Sequence, residues 1–273
     1  MNPVDRLGAA VLSGGRHVLY LLGLVYLAAK TTWLLRRQGR REFRREILLQ
    51  VYFTGVQAIG PVVTLAALAG TVVVAEGLAL FGTLSGAEAL GREVTVLLLR
   101  EVGPLLVAGV VIARSVTAIA AELGTMRVQR EIEALEVMGV SPIRLLVAPR
   151  LLGGVMALLG LNVVFGVAAL ALGFASARAI AAIPASLFLS AVLSAVSAAG
   201  LLAVAVKIVV GGLGIMAIAC YHGFDVRGAP TEVPVAVSRA ALNALVFLVI
   251  LHASITLLAF LVGGAPSPMA VIR

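Results

Sequence analysis

Charged side chains within long apolar segments are the first candidates for chemistry in this sequence. Arg100 and Glu101 stand near one end of an apolar run, and Arg114 lies deeper in the same run. Lys207 lies inside a later run. Ionised side chains are costly in hydrocarbon, so those that occur there usually pair with one another or mark a path for a polar substrate or a proton. These four residues therefore indicate either structural ion pairs or a transport route.

We interpret Arg100 and Glu101 in two ways, as a local ion pair at the membrane interface or as the polar rim of a cavity with apolar walls. Arg114, Glu122 and Lys207 are predicted to form an intramembrane charge network. For Lys207, pairing with a carboxylate or with a helix C-terminus is favoured over direct contact with a substrate. Glu122 follows the run that contains Arg114 and is predicted to pair with Arg114 or Lys207.

Other kinds of chemistry lack the residues that they need. The sequence has no GxxxxGK[ST] motif, and Lys30 and Lys207 are its only lysines, so ATP phosphates cannot be bound by that route. The histidines stand far apart, without the spacing of a metal site. His252 and Ser254 are two residues apart on one predicted helix and do not face each other. We therefore expect no enzyme activity, no metal site and no cofactor bound by this chain; any work driven by ATP and Mg²⁺ would have to come from a partner.

The composition indicates an integral membrane protein. Of the 273 residues, 61% are hydrophobic and 12% are charged, and the mean hydropathy is +1.11. A soluble domain cannot bury that much apolar surface. The apolar runs are long and continuous, which favours helices over a membrane β-barrel. The net charge of +8 could indicate nucleic acid, but the basic residues gather where anionic lipid headgroups would lie, so we expect membrane lipid and no nucleic acid as a partner.

The apolar pattern predicts an all-α fold with five transmembrane helices. The spans are predicted at about 47–75, 94–121, 151–175, 199–221 and 239–262, with an interfacial segment at about 184–198. The five-span domain at 47–262 is preceded by a region at 1–46 and followed by a short tail at 263–273. The apolar run in the first region has twelve residues and would reach only about 18 Å, less than the hydrocarbon core. Residues 1–46 are therefore predicted to form an interfacial helix or a re-entrant elbow.

The distribution of arginine and lysine predicts the orientation of the chain. If the charged stretch at 121–150 is cytoplasmic, fifteen basic residues lie on the cytoplasmic side and three on the other side. A bias of this size matches the positive-inside rule. The N-terminus is then cytoplasmic and the C-terminus lies on the outer side.

The stretch at 121–150 is a long charged segment between two apolar runs, and its pattern is helical. A helix is predicted from Thr125 to Met138. Its apolar residues share one stripe, namely Val128, Ile132 and Leu135. Gly139 predicts the C-terminal stop, and Ser141-Pro142 predicts the start of the next helix. The result is a short amphipathic helix between two spans, which could lie on lipid headgroups or contact a soluble partner.

Three segments and one lysine together carry a family resemblance. They are LLREVGPLLVAGVVIARS, AELGTMRVQREIEALEVMGVSPIRLLVAPR, CYHGFDVRG and Lys207. These residues resemble the MlaE/YrbE-type permeases, which are membrane subunits of ABC lipid transporters. The resemblance covers roughly residues 45–262. The sequence departs from the family at Ala113 and Val116, where the family usually has glycine, so a close backbone contact beside Arg114 is not implied.

The resemblance implies that the helix at about 125–139 is a coupling helix, which docks in a groove of a separate P-loop ATPase on the cytoplasmic side. The residues expected to serve this contact are Val128, Arg130, Glu131, Ile132, Leu135, Glu136 and Met138. On this basis, Leu135→Asp is expected to abolish recruitment of the ATPase while the protein still inserts.

The resemblance further implies a homodimer in the bacterial inner membrane, with a periplasmic C-terminus. This dimer would pass phospholipid or a related lipid to or from an MCE-type lipid-binding protein on the outer side. The substrate cavity is expected to include Leu78, Arg100, Glu101 and Leu105.

Two hypotheses about function remain open at this point. The first is the permease subunit of an ABC-type lipid transporter. The alternative is an ion-coupled secondary transporter that uses Glu101, Arg114 and Lys207 as a proton relay. An intramembrane enzyme is disfavoured, because no catalytic pair has a workable spacing, and a non-transporting scaffold is a further alternative.

Overall fold

The structure, a computed structural model, describes residues 23–27, 30, 40–81 and 94–263. Across these ranges the chain is helical and has no β-strand, which confirms the all-α prediction. The helices that position the sites are α1 (Arg40–Thr54), α2 (Ile59–Phe81), α3 (94–128), α4 (Glu131–Val137), α5 (143–181), α6 (Ala185–Ala195), α7 (Ala198–Phe224) and α8 (Glu232–Gly263). Most of the predicted interfacial region at 1–46 and nearly all of the tail lie outside the described residues.

Two of these helices contain π-helical segments, in which each turn is wider than in an α-helix. Helix α3 is π-helical at Val94–Val102 and Ile112–Val116 and α-helical at Gly103–Val111 and Thr117–Val128. Helix α5 starts with a π-helical turn at Ile143–Val147 and is α-helical over Ala148–Ala181.

Five helical stretches in the described residues are long and apolar enough to cross a membrane. They are Arg41–Ala79, Leu97–Val128, Ile143–Ala181, Ala198–Phe224 and Glu232–Leu258. This confirms the five predicted spans and makes the chain a multi-pass membrane protein. The predicted division of the long fourth apolar run is also found, because Val196 has extended backbone angles and separates α6 from α7.

The first span is interrupted just before Pro61. Residues Val56–Ala58 form a 3-10 turn between α1 and α2. Pro61 has no N–H to donate to the carbonyl of Gln57, so the α-helical pattern cannot run unbroken through this point.

The connection between the fourth and fifth spans is shorter than the predicted bounds of these spans imply. Helix α7 continues to Phe224, and α8 already begins at Glu232. The backbone N–H of Arg227 donates a 2.7 Å hydrogen bond to the Glu232 carboxylate, which ties the loop to the start of α8.

The described chain divides into two compact units. Unit 1 comprises Met1–Thr54, Ile112–Ala157 and Gly212–Ala244. The largest side chains of its core are at most 1% exposed and include Leu123, Leu151, Ile215 and Met216. Met216 packs directly on Gly154 of α5, where a Cβ would lie 2.6 Å from its Cγ.

Unit 2 comprises Gly55–Val111, Leu158–Gly211 and Leu245–Arg273. The largest side chains of its core are at most 2% exposed and include Val62, Leu98, Phe165 and Leu248. Helices α2 and α5 approach each other closely where Gly70 faces Ala169, since a Cβ built on Gly70 would overlap the Ala169 carbonyl oxygen. Small residues permit this kind of close packing between membrane helices.

We predict that Gly70→Ala lowers the free energy of unfolding by about 1–3 kcal/mol, the usual cost of overpacking. The new methyl group meets backbone atoms of Ala169, which cannot move aside as a flexible side chain can. The shift of the unfolding midpoint in detergent measures the effect.

Gly160→Ala is the matched control, because a Cβ at Gly160 has no neighbour within 4 Å. It should leave stability unchanged or raise it by up to about 1 kcal/mol, since alanine favours the helix. Equal midpoints for the two variants would contradict the close approach of α2 and α5.

Candidate functional site

Lys207 of α7 is a buried charged side chain in unit 2 and is only 3% exposed. Its ammonium donates to both carboxylate oxygens of Glu101, each at 2.7 Å. It also donates to the Thr256 hydroxyl at 2.8 Å and to the Arg100 carbonyl oxygen at 3.3 Å. An ammonium has three protons, so these acceptors use its full donor capacity.

Glu101 lies in the π-helical segment of α3, two residues before Gly103. Its carboxylate accepts from Lys207 and also from the Thr256 hydroxyl, at 2.9 Å. The Glu101 side chain is 35% exposed, whereas its partner is buried. The ion pair with Lys207 therefore neutralises the charge of the Glu101 carboxylate, and this carboxylate lies beside an open space.

That open space is a cavity of about 520 Å³ in unit 2. Its described lining comes from α3 and α8 and is mostly apolar: Glu101, Val102, Leu105, His252, Ala253, Thr256 and Leu257. A mainly apolar wall with few polar groups is the usual lining of a site for an apolar ligand.

Two of the four predicted cavity residues lie elsewhere in unit 2. Leu78 is 7% exposed and belongs to the buried core, and it is not among the described lining. The Arg100 guanidinium lies against Gly200 of α7, where a Cβ would stand 2.7 Å from Nη2. Glycine at position 200 therefore leaves room for Arg100. Of the predicted set, the structure brings Glu101 and Leu105 to the cavity.

In unit 1, the helix predicted from Thr125 to Met138 is divided in two. Helix α3 ends at Val128, and Arg130 adopts left-handed backbone angles, φ 60° and ψ 21°, before α4 begins. The single continuous helix was therefore a wrong prediction. A left-handed non-glycine residue costs roughly 1–2 kcal/mol. The ion pair between Arg127 and Glu133, at 3.3 Å, bridges the break.

The predicted end of this segment is confirmed. Gly139 has φ 74°, and its N–H bonds the Glu136 carbonyl at 2.9 Å, while the Val140 N–H bonds the Leu135 carbonyl at 2.9 Å. This is the left-handed glycine stop expected at a helix C-terminus.

The residues predicted for docking differ in how far they are presented on the surface. Arg130, Glu131, Glu136 and Met138 are exposed. Ile132 is 3% exposed, and Val128 and Leu135 are half-buried, so the apolar stripe packs largely within unit 1. The apolar side chains exposed at the end of α4 are Val137, at 89%, and Met138, at 68%, of which only Met138 belongs to the predicted set. We name Val137 and Met138 the α4 tip.

The structure also gives Glu122 a partner that was not predicted. Glu122 pairs with Arg150 of α5, with Oε1 and Nη2 2.9 Å apart, and Arg150 additionally donates to the Leu146 carbonyl at 2.9 Å. Lys207 pairs with a carboxylate, as predicted, but that carboxylate belongs to Glu101. Arg114 is half-buried in a π-helical segment of unit 1. The predicted pairing of Glu122 with Lys207 was therefore wrong.

Comparison with known proteins places these features in a family. Residues 47–258 match the family described as Permease MlaE. The chain belongs to the MlaE permease family.

Relatives of this MlaE-family permease occur in several organisms. It is 31% identical over 130 residues to the intermembrane phospholipid transport system permease protein MlaE of Haemophilus influenzae, a match that covers 46% of the chain and 50% of that relative. It is 29% identical over 239 residues to a probable ABC transporter permease protein of Synechocystis, covering 85% and 89%. The chloroplastic protein TRIGALACTOSYLDIACYLGLYCEROL 1 of Arabidopsis thaliana is 31% identical over 114 residues, covering 42% of this permease and 33% of the plant protein.

Sequence reasoning missed three residues at the two sites of this MlaE-family permease. Thr256 and His252 are four apart on α8, a spacing that places both on one helix face and could have indicated a shared site. Val137 lies outside the predicted apolar stripe and is 89% exposed, and an apolar residue on the side opposite the stripe could have indicated a contact surface.

Proposed function

We propose that this permease is the membrane subunit of an ABC-type transporter that moves phospholipid or a related lipid between the membrane and an MCE-type lipid-binding protein. A separate P-loop ATPase would bind ATP and Mg²⁺ and supply the energy, so this chain would be a non-catalytic subunit without a bound cofactor. Its membership of the MlaE permease family and its similarity to the intermembrane phospholipid transport permease of Haemophilus influenzae support this proposal.

The cavity beside Glu101 is the observation that carries the lipid part of the proposal. Four of the side chains in its described lining are aliphatic. The carboxylate in that lining, Glu101, is neutralised by Lys207. Because the donor capacity of Lys207 is already used, the cavity offers little attraction to a phosphate group. It suits the acyl chain of a lipid, with the headgroup outside.

The α4 tip supports contact with an ATPase. Val137 and Met138 place exposed apolar surface next to the exposed carboxylate of Glu136. Exposed apolar side chains beside a charged one are typical of a protein contact, which has an apolar centre and a polar rim. We further propose a homodimer in a bacterial inner membrane, with the N-terminus and the α4 tip cytoplasmic and the C-terminus periplasmic, as the fifteen-to-three distribution of basic residues favours.

Purification in mild detergent tests the proposal directly. Mass spectrometry of the purified sample should find bound phospholipid, a second copy of the chain, a co-eluting P-loop ATPase and an MCE-type protein. Removal of ATP from membranes that contain the full complex should stop lipid exchange. Lipid exchange that continues without any ATPase would contradict the proposal.

One observation favours the ion-coupled alternative: His252 and Glu101 line the same cavity, and side chains of these two types form proton relays in transporters. Reconstitution of this chain alone in vesicles separates the two functions. Transport driven by a proton gradient without partners would establish the alternative, and its absence, together with transport by the complete ATP-driven assembly, would exclude it.

A further inference from the structure

Helix α1 carries one face that no part of the proposed transport site uses. Five side chains spaced three and four residues apart share it: Arg41, Arg44, Arg45, Leu48 and Leu49. All five are exposed. At about 100° per residue, Tyr52 falls on the middle of the same face, one turn further along. Along the helix, this face therefore presents the arginine side chains first, then the two leucines, and then Tyr52.

The opposite face of α1 packs within unit 1. A Cβ on Gly153 of α5 would lie 2.6 Å from the Gln50 Cβ and 3.0 Å from the Ile47 carbonyl oxygen, so these groups are in direct contact with α5. Gln50 also donates a 2.6 Å hydrogen bond to the Thr54 hydroxyl. This packing fixes the rotation of α1, and it turns the arginine face outward.

An open space of about 400 Å³ lies along the outward face. Its described lining consists of the three arginines and two leucines and includes no carboxylate. Glu42 and Glu46 are exposed on the neighbouring side of the helix, and neither forms a salt bridge with the three arginines in the described part of the chain. Three guanidinium groups without a carboxylate partner form a strongly anion-attracting group.

We propose that this face binds an anionic phospholipid of the surrounding membrane. The headgroup phosphate lies among Arg41, Arg44 and Arg45, and one acyl chain follows Leu48 and Leu49 toward Tyr52. This lipid site is separate from the cavity beside Glu101 and does not depend on transport.

The order of side chains along the helix favours a membrane lipid over a free phosphate or an acidic protein. Guanidinium groups favour phosphate because their paired N–H groups match two of its oxygens. Leu48 is 62% exposed and Tyr52 is 52% exposed, so the face continues as bare apolar surface beyond the arginines. A phospholipid has the same order of charge and hydrocarbon. A free phosphate would leave the apolar half of the face uncovered.

The test compares lipid binding by the full chain in neutral detergent. Phosphatidylglycerol and phosphatidylcholine with identical acyl chains are titrated, and binding is followed by native mass spectrometry and by the thermal unfolding midpoint. Glycerol 1-phosphate provides the headgroup charge without acyl chains. The variant Arg41→Gln/Arg45→Gln is compared with Arg227→Gln/Arg239→Gln, which removes the same charge from residues that line another cavity of unit 1.

We expect the wild type to prefer phosphatidylglycerol, with only weak competition by glycerol 1-phosphate. The Arg41→Gln/Arg45→Gln variant should weaken phosphatidylglycerol binding roughly 10- to 30-fold, as two lost arginine contacts at a membrane surface imply. The Arg227→Gln/Arg239→Gln control should stay within about threefold of the wild type. Arg41→Lys/Arg45→Lys keeps the charge but loses the paired N–H geometry, so its binding should fall between wild type and the glutamine variant.

Several results would overturn the site. The wild type could bind phosphatidylglycerol and phosphatidylcholine equally well. Arg227→Gln/Arg239→Gln could weaken phosphatidylglycerol binding as much as Arg41→Gln/Arg45→Gln does. Glycerol 1-phosphate could compete as well as the intact lipid. Loss of a co-purifying protein from the glutamine variant with its lipid preference intact would show that the face binds a protein instead. If the glutamine variant does not fold, the wild-type titration and the lysine variant still decide. A lysine variant that binds phosphatidylglycerol more weakly than the wild type supports the site, and one that binds it as tightly as the wild type contradicts it.

Discussion

Glu101→Gln is expected to lower the free energy of unfolding by about 3–5 kcal/mol, because it leaves a buried ammonium without its counter-charge. Lys207 is 3% exposed, and after the substitution only neutral oxygens of Arg100, Thr256 and the new amide remain as acceptors. The side chain keeps its shape, so packing changes contribute little. Thermal unfolding in detergent measures the loss.

Lys207→Met should cost less than Glu101→Gln, about 1–3 kcal/mol. Its removal leaves the Glu101 carboxylate, which is 35% exposed toward the cavity and keeps its hydrogen bond from Thr256. A charge that can be hydrated costs less to leave alone than one that is enclosed. A larger loss of stability in Glu101→Gln than in Lys207→Met would therefore agree with the deeper burial of Lys207.

The double variant Glu101→Gln/Lys207→Met removes both charges together. It should be more stable than Glu101→Gln alone, since a coupling of about 0.5–3 kcal/mol is usual for residues in contact. Arg227→Met serves as the control for loss of an exposed cation and should be nearly neutral. If the losses in unfolding free energy of the two single variants add up in the double variant, the ion pair between Glu101 and Lys207 is contradicted. The same holds if Lys207→Met is less stable than Glu101→Gln.

Loss of ATPase binding is the expected result of Val137→Asp/Met138→Asp. Both side chains are exposed, at 89% and 68%, so the substitution changes the surface and not the core. If the α4 tip fills a pocket on the ATPase, burial of two carboxylates there would weaken association at least roughly 100-fold, as for the loss of a central contact residue. Co-purification with the ATPase and ATP-driven lipid exchange measure the result.

Two further variants separate docking from folding. Val235→Asp places a carboxylate on another exposed position of unit 1, at 48% exposure, and should leave ATPase binding intact. Ile132→Asp should instead destabilise the protein, because Ile132 is 3% exposed. Normal co-purification of the ATPase with the double α4 tip variant would refute the docking role.

The sequence was most informative where one local signal was enough. Gly139 marked a helix end because a left-handed residue is tolerated there by glycine, and the structure has φ 74° at that position. The divided fourth apolar run was predicted from length alone, since one crossing cannot use so many residues. Neither inference required knowledge of a neighbouring helix.

The helix at 125–138 shows where local reasoning fails. Its apolar stripe at Val128, Ile132 and Leu135 is real, and the structure buries the centre of that stripe in unit 1. No residue type in the segment signals a left-handed Arg130, because arginine adopts that conformation only when surrounding contacts compensate for the strain. The stripe therefore predicted a helical face, and the structure packs the centre of that face within unit 1.

The sequence by itself determined the membrane character, the number of spans and the residues that carry charge inside them. Hydrocarbon forces every span to be a long apolar helix, and this requirement can be read residue by residue. Only the tertiary structure decided which charges meet: Glu101 with Lys207, 106 residues apart in the chain, and Glu122 with Arg150. Pairing between helices depends on how each helix is rotated and how far it is shifted along its neighbour. The rotation and the shift are set by packing contacts such as that between Gly70 and Ala169. No local sequence pattern predicts such contacts.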